Sequence, residues 1–391
     1  MNTAEQTGNQ GEEIAAPDPI VNEGGVEGED LGMTNPFDPA KIKVETKQMS
    51  LDTLIKRMKE GEIDLSPDFQ RNEVWKPPAR SRLIESLLIR IPLPAFYMDA
   101  TNEDKWTVVD GLQRLSTLRN FIIPRNEKEK LYLVELEFLK ELEGKGFTDL
   151  PRHYQRRIEE TQVTVYLIER GTPDDVKFNI FKRINTGGLP LSSQEIRHAL
   201  NQGPAAVLLK ELAASQEFQE ATAWGIRDQR MSDRECVLRF FAFLLTPYDQ
   251  YDAGDFDAFL SGAMAQINTM SDRKRRLIKS KFYRAMSNAM DIFGDRAFRK
   301  QTSLQGGRFP VNKALFESWS VNLDALTDDE IDILKENKRL VNKAFIKLIK
   351  TDQEFVSAIT QGTGHFNRVR KRFNAIEQLI QEILRERGES L

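Results

Sequence analysis

The chain has 391 residues, 40% of them hydrophobic and 30% charged, with a formal net charge of −4. That composition suits a globular protein of two or three domains and leaves no apolar run long enough for a membrane-spanning helix. A single cysteine, Cys236, excludes an internal disulfide framework and fits a reducing, cytoplasmic setting. The Met1 end carries neither a basic segment nor an apolar one of the kind that opens a secretory signal, so none is expected.

The charge is unevenly spread. Residues 1–40 hold nine Asp or Glu and no Lys or Arg, leaving 56 basic against 51 acidic residues beyond them. The segment is rich in Gly, Glu, Asn and Pro. It is too poor in apolar residues to offset chain entropy, so residues 1–41 are expected to be disordered. Such an arm would act as a solubilising leader, repel nucleic acid, or cover a basic face of its own protein.

From residue 42 the pattern becomes that of a folded unit. Val44 and Thr46 alternate as in a strand, and Leu51, Leu54, Ile55 and Met58 recur with the helix period. Residues 63–75 read as extended, punctuated by Pro67. Pro77–Pro78 suits a first helical turn, and Leu83, Ile84, Leu87 and Leu88 give that helix an apolar face. Short strands are expected at 95–98 and 105–109, then a helix through Leu112, Leu115, Leu118, Phe121 and Ile122. Residues 131–138 and 162–168 alternate well enough to be strands. A helix over 174–184 meets Gly187–Gly188, and Ser192 with Glu195 forms a capping box for the next helix. Beyond residue 204 strand signals stop, and helical periodicity covers 205–219, 233–245, 255–293, 328–349 and 366–387. The fold class is therefore α+β, with a core over 42–203 and a mainly α-helical domain over 204–391.

Three clusters carry chemistry. Asp110–Gly111–Leu112–Gln113–Arg114 is a strand-to-helix turn, a place where free backbone N–H groups face an anion. Asp110 can cap the helix, and Gly111 permits close approach or a positive φ. Arg114 in the first turn opposes the helix dipole by a few tenths to about 1 kcal/mol. Either a bound anion compensates, or Arg114 pairs with Asp110 across the turn; spacing does not separate the two. Gln70–Arg71 form a donor-rich pair before Trp75. Lys182 and Arg183 end a helix, where the dipole favours cations, just before Asn185 and Thr186.

Other nuclease and nucleotide signatures are missing. No Gly-x-x-x-x-Gly-Lys loop is present. Asp68, Glu73 and Lys76 lack the alternate spacing that would put Glu and Lys on one strand face. His153, His198 and His365 are isolated, and Cys236 lies among apolar residues as an inert thiol would. Two basic stretches, 273–281 and 368–372, could meet DNA phosphates, with Arg273, Lys274, Arg275, Arg368, Arg370 and Lys371 as candidates.

Together, "FQRNEVW" at 69–75, "LIESLLIRIPLP" at 83–94, "VVDGLQRLSTL" at 108–118 and "FKRINTGGLPLSSQEIRHAL" at 181–200 resemble the N-terminal domain of GmrSD-type modification-dependent restriction enzymes. The resemblance implies a ParB/sulfiredoxin-like fold that binds and hydrolyses an NTP, with Mg2+ as a candidate cofactor, in a bacterial restriction or anti-phage system. It assigns the nucleotide site to Gln70, Arg71, Asp110, Gly111, Gln113 and Arg114; Asn185 and Thr186 are added as candidates from their place just before Gly187–Gly188. Asp110, Arg114 and Arg71 are its catalytic candidates. Leu112 stands where that family has a Gln, which leaves hydrolysis open. The family's C-terminal His-metal nuclease domain finds no counterpart, so DNA or a separately encoded nuclease or effector is the expected partner. The alternative is a non-catalytic module that reads modified DNA through its basic helices.

Overall fold

The computed structural model describes Glu27 and residues 43–65, 75–184, 192–227, 229–252 and 254–388. Five strands, β1 (Val44–Ser50), β2 (Ile63–Asp64), β3 (Phe96–Asp99), β4 (Trp106–Asp110) and β5 (Gln162–Ile168), form one mixed sheet in the order β1-β5-β3-β4-β2. β1 runs antiparallel to β5 and β3 antiparallel to β4, while β3–β5 and β2–β4 are parallel.

Strand alternation sorts the side chains onto two faces. Phe96, Met98, Trp106, Val108, Val163, Val165 and Leu167 pack with α1 (Leu51–Lys59), α2 (Pro77–Leu88), α3 (Leu112–Ile122) and α4 (Arg152–Glu160). On the opposite face Val109 and Ile168 meet Phe178 and Phe181 of α5 (Asp174–Ile184) and Ile196 of α6 (Ser193–Leu200). The expected starts hold locally. Ser50 Oγ accepts from Thr53 N at the head of α1, and Ser192 with Glu195 closes a reciprocal capping box on α6.

The strand expected at 131–138 does not form. Its N–H groups bond elsewhere: Val134 donates to Ser81 Oγ (2.9 Å), and Glu137, Phe138 and Leu139 all donate to the Glu85 carboxylate on α2 (2.7–2.9 Å). Glu135 takes a positive φ of 50°, which also breaks an extended run. A segment whose donors are claimed by side chains has none left for a ladder. Burial alone would raise the Glu85 pKa, but the three N–H donors outweigh it and hold the carboxyl below the ordinary range.

The rest is helical: α7 (Pro204–Ala213), α8 (Gln216–Ala221), α9 (Ser232–Leu245), α10 (Phe256–Thr269), α11 (Asp272–Phe293), α12 (Lys313–Ala325), α13 (Asp328–Glu336), α14 (Lys338–Thr351), α15 (Gln353–Ala358) and α16 (Phe366–Gly388). Three expected long helices are pairs. Those at 205–219, 255–293 and 328–349 break around Ala214–Ser215, Met270–Ser271 and Asn337, where Ser215 and Ser271 cap the second member. The helix α12 carries no expectation from periodicity. It is buried nearly all round, which removes the polar face that marks an amphipathic helix.

Apolar side chains between Ala205 and Leu384 share one core, separate from the two sheet cores. An ion-pair network runs through it. Glu317 accepts from Arg372 and from Arg239, all three fully buried; Arg239 also reaches Glu235 (2.8 Å), which pairs with Lys313 (2.9 Å). Burial opposes the Glu235 charge, yet Lys313, Arg239 and Arg197 hold its carboxyl far below the usual range. Arg372, counted in the sequence among basic surface residues, thus belongs to the core. Cys236 is fully buried and its thiol is pushed up to about 12 by burial.

Candidate functional site

The site starts where β4 ends. Asp110 is its last residue and lies opposite Tyr97 in the β3–β4 register. Gly111 then turns the chain with φ 99° and serves as the N-cap of α3. A β-carbon there would lie 2.4 Å from the Phe96 ring and 3.3 Å from Arg114 Nη2, so both the dihedral and the space demand glycine. The expected cap by Asp110 is not made: no side chain caps α3. Asp110 is held by Arg114 instead. The first intrahelical bond of α3 runs from Leu115 N to Gly111 O (2.9 Å), and the N–H groups of 112–114 precede it.

Arg114 resolves toward pairing across the turn. Its Nη2 donates to Asp110 Oδ2 (2.7 Å) and to Ala95 O (3.2 Å), and Nη1 donates to the carbonyls of Pro94 and Ala95. The guanidinium lies 4.7 Å from the centroid of the Phe96 ring, and the side chain is 11% exposed. Burial lowers its pKa, with Asp110 working the other way. Arg114 therefore stitches α3 to the loop before β3. Gln113, half-buried, is the other polar side chain of that first turn. Leu112 packs against the sheet core and against Ala199 and Met231, so the Leu that departs from the family motif faces apolar neighbours.

Gln70, Arg71, Asn185 and Thr186 lie outside the described residues. The structure brings Asp110, Gly111, Gln113 and Arg114 together. It also adds residues that the sequence did not flag. Tyr97 and Tyr166 stack with centroids 4.7 Å apart, and burial, Tyr166 and Asp110 together raise the Tyr97 pKa. Lys177 of α5, 7% exposed, reaches Thr101 Oγ1 (2.7 Å) and Asp99 (3.4 Å) at the end of β3. Alternation across paired strands is the only sequence signal for the Tyr pair, since Tyr97 and Tyr166 are in register.

The α5–α6 layer is tied to the helical core by charge. Asp257 at the start of α10 accepts from Lys182 (3.2 Å) and from the buried Arg197 of α6 (2.6 Å). Among the DNA candidates, Arg275 pairs with Asp272, Arg370 donates to Asp249 O (2.9 Å), and Lys371 pairs with Asp352 (2.8 Å) and Glu354 (3.5 Å). Arg273, Lys274 and Arg368 lie on the outer parts of α11 and α16. Among the described residues no group of three or more His, Cys, Asp or Glu is arranged to hold a metal, and no helix is long and apolar enough to cross a membrane.

A sheet covered on both faces, with a glycine-hinged strand-to-helix turn at one strand end, defines an α+β domain in which α3 starts without a side-chain cap. Residues 51–201 match the family model of the GmrSD restriction endonuclease, N-terminal domain, and that segment belongs to it. The match spans less than half of the chain. No curated protein and no solved structure matches the sequence.

Proposed function

We propose that this protein is the nucleotide-binding module of a bacterial restriction or anti-phage system, with NTP phosphates received at the N-terminus of α3. The Gly111 hinge carries the reading. A residue barred from any side chain by Phe96 sets the N–H groups of 112–114 above the end of β4, in the turn the GmrSD N-terminal resemblance assigns to nucleotide. Gln113 would donate to a phosphate oxygen. The stacked Tyr97 and Tyr166, with Tyr97 opposite Asp110 in the strand register, suit the base or sugar.

The geometry of Arg114 favours binding over hydrolysis. With Pro94, Ala95 and Asp110 occupying its donors, charge developing on a γ-phosphate would need neutralising by Arg71 or Mg2+. The ParB/sulfiredoxin-like fold and the division at 203/204 belong to the same proposal. The Lys182–Asp257–Arg197 cluster supports a route by which a filled site biases the helical region, where DNA or a separate effector would engage.

The test is titration with each NTP, with and without Mg2+, read by thermal shift and by phosphate release. A ligand at one hundred times its Kd adds about 2.7 kcal/mol of stability, enough for a clear rise in Tm. Gln113→Glu puts a carboxylate in the first turn of α3, which the helix dipole tolerates and a phosphate does not. That variant should fold normally and lose the shift. No shift and no phosphate release with any nucleotide would refute the reading.

A further inference from the structure

A cavity of about 380 Å³ lies in the helical region, lined by the end of α11, the stretch 294–304 and the start of α14. Its walls are tied together by named bonds. Asn342 of α14 donates through Nδ2 to Ile292 O near the end of α11 (3.1 Å). Arg296 donates to Ser303 O and to Gly306 O (3.0 Å each), which folds the loop carrying Gln301 and Leu304 onto the 294–296 turn.

One wall of this cavity suits an anion. The helix α14 starts without a side-chain cap, because Asn337 Nδ2 donates backwards to Ile333 O (2.9 Å), and its first turn holds no acidic residue. Leu340 N and Val341 N both bond Asn337 O (2.8 and 3.1 Å), and the N–H groups of Lys338 and Arg339 precede them. The side chains of Lys338 and Arg339 are exposed, and neither forms an ion pair among the described residues. Two cations in a first turn oppose the helix dipole, and an anion bound there reverses that balance.

Gln301 gives the second, independent sign of a ligand. It lines the same cavity and is 4% exposed, yet its Oε1 accepts no hydrogen bond. A buried acceptor left without a donor costs about 1–3 kcal/mol, and a ligand N–H or O–H would remove that cost. Met290 and Leu304, 37% and 38% exposed, add apolar surface to the lining. The neighbouring cation, Lys300, is already occupied. It pairs with Glu27 of the acidic segment, whose carboxylate also accepts from Asn312 Nδ2 (2.9 Å). At this one described position the arm expected to be disordered is seated; the rest of that expectation lies outside the described residues.

We propose that this cavity binds a nucleoside monophosphate, with the phosphate at the start of α14 beside Lys338 and Arg339, a ribose hydroxyl or base N–H on Gln301 Oε1, and the base against Met290 and Leu304. A phosphate monoester carries about −1.5 to −2 at neutral pH, which two cations balance; a triphosphate brings more charge than they can meet. Inorganic phosphate would answer the cations and leave Gln301 unpaired, and a nucleoside would do the reverse. The volume falls within the range of small-ligand sites, roughly 300–1,000 Å³. The site shares no residue with the α3 turn, so its failure leaves the nucleotide reading untouched.

The experiment is isothermal titration calorimetry of the full chain carrying Gln113→Glu, so that the α3 turn does not contribute. The titrants are AMP, GMP, CMP and UMP, their nucleosides, and inorganic phosphate. At least one monophosphate should bind about tenfold or more tightly than both its nucleoside and inorganic phosphate. Arg339→Glu, an exposed change that does not threaten folding, should weaken that binding about tenfold or more. Gln301→Leu should weaken it several-fold while raising the Tm of the ligand-free protein, because the unpaired buried acceptor is gone. Binding of no monophosphate, or affinity unchanged in Arg339→Glu, would overturn the proposal. So would a Gln301→Leu protein of lower Tm and unchanged affinity, which would make Gln301 a structural group.

Discussion

The sharpest test of how the α3 turn is built is Gly111→Ala, read against Gly61→Ala in the same chain. Both glycines have positive φ, 99° and 77°. An L-residue forced there costs about 1–2 kcal/mol. Gly61 has nothing within 4 Å of a built β-carbon, so its substitution should cost that much and no more. At Gly111 the new methyl would lie 2.4 Å from Cδ1 of Phe96, which is fully buried between α3 and the sheet. Displacing a close-packed ring adds about 1–3 kcal/mol of overpacking, for a total of about 2–5 kcal/mol. Urea denaturation followed by circular dichroism measures both variants, and the difference between them isolates the Phe96 contact. If Gly111→Ala cost no more than Gly61→Ala, the close approach would not exist and the hinge argument would fail. A nucleotide thermal shift on Gly111→Ala, compared at equal fraction folded, should also be diminished, since the first-turn N–H groups move with the hinge.

Two further outcomes follow from buried charge. Glu85→Gln should lose about 1–3 kcal/mol at neutral pH, because an amide can present only one acceptor oxygen to the three N–H groups of 137–139. The wild-type carboxyl has its pKa depressed in the folded state, so its contribution is present above the unfolded glutamate value and disappears as pH falls through the folded one. Thermal melts of the two proteins should therefore converge below the ordinary glutamate range; a gap that persisted there would sink the assignment. Glu317→Ala leaves Arg239 and Arg372 buried with a carboxylate removed and should cost about 3–5 kcal/mol, measured by the same urea series. A loss under 1 kcal/mol would show that water reaches the pair.

Much of the domain was legible because the signals are local. Alternation marks β1 and β5, a short buried run marks β3, the 3.6-residue period marks α1, α2 and α3, and Ser192 with Glu195 announces α6 from four residues of sequence. That Gly111 permits a positive φ or a close approach was also readable; that the Phe96 ring demands it was not. Roles set by distant neighbours were not readable. The strand expected at 131–138 is cancelled by Glu85 and Ser81, 52 to 54 residues earlier in the chain. Arg372 looks like one more surface cation until Glu317 is folded against it.

Arg114 shows the division most clearly. By itself the sequence determined that a cation sits in the first turn of a helix that follows Asp-Gly, and that such a cation must be compensated. It could not say by what. The tertiary structure supplied Asp110 together with two carbonyls from the loop before β3, so that Arg114 clamps strand to helix. Local spacing sets which groups can interact along one element. Which charge finally meets which depends on how elements far apart in the chain are packed, because burial makes every unpaired group too costly to leave.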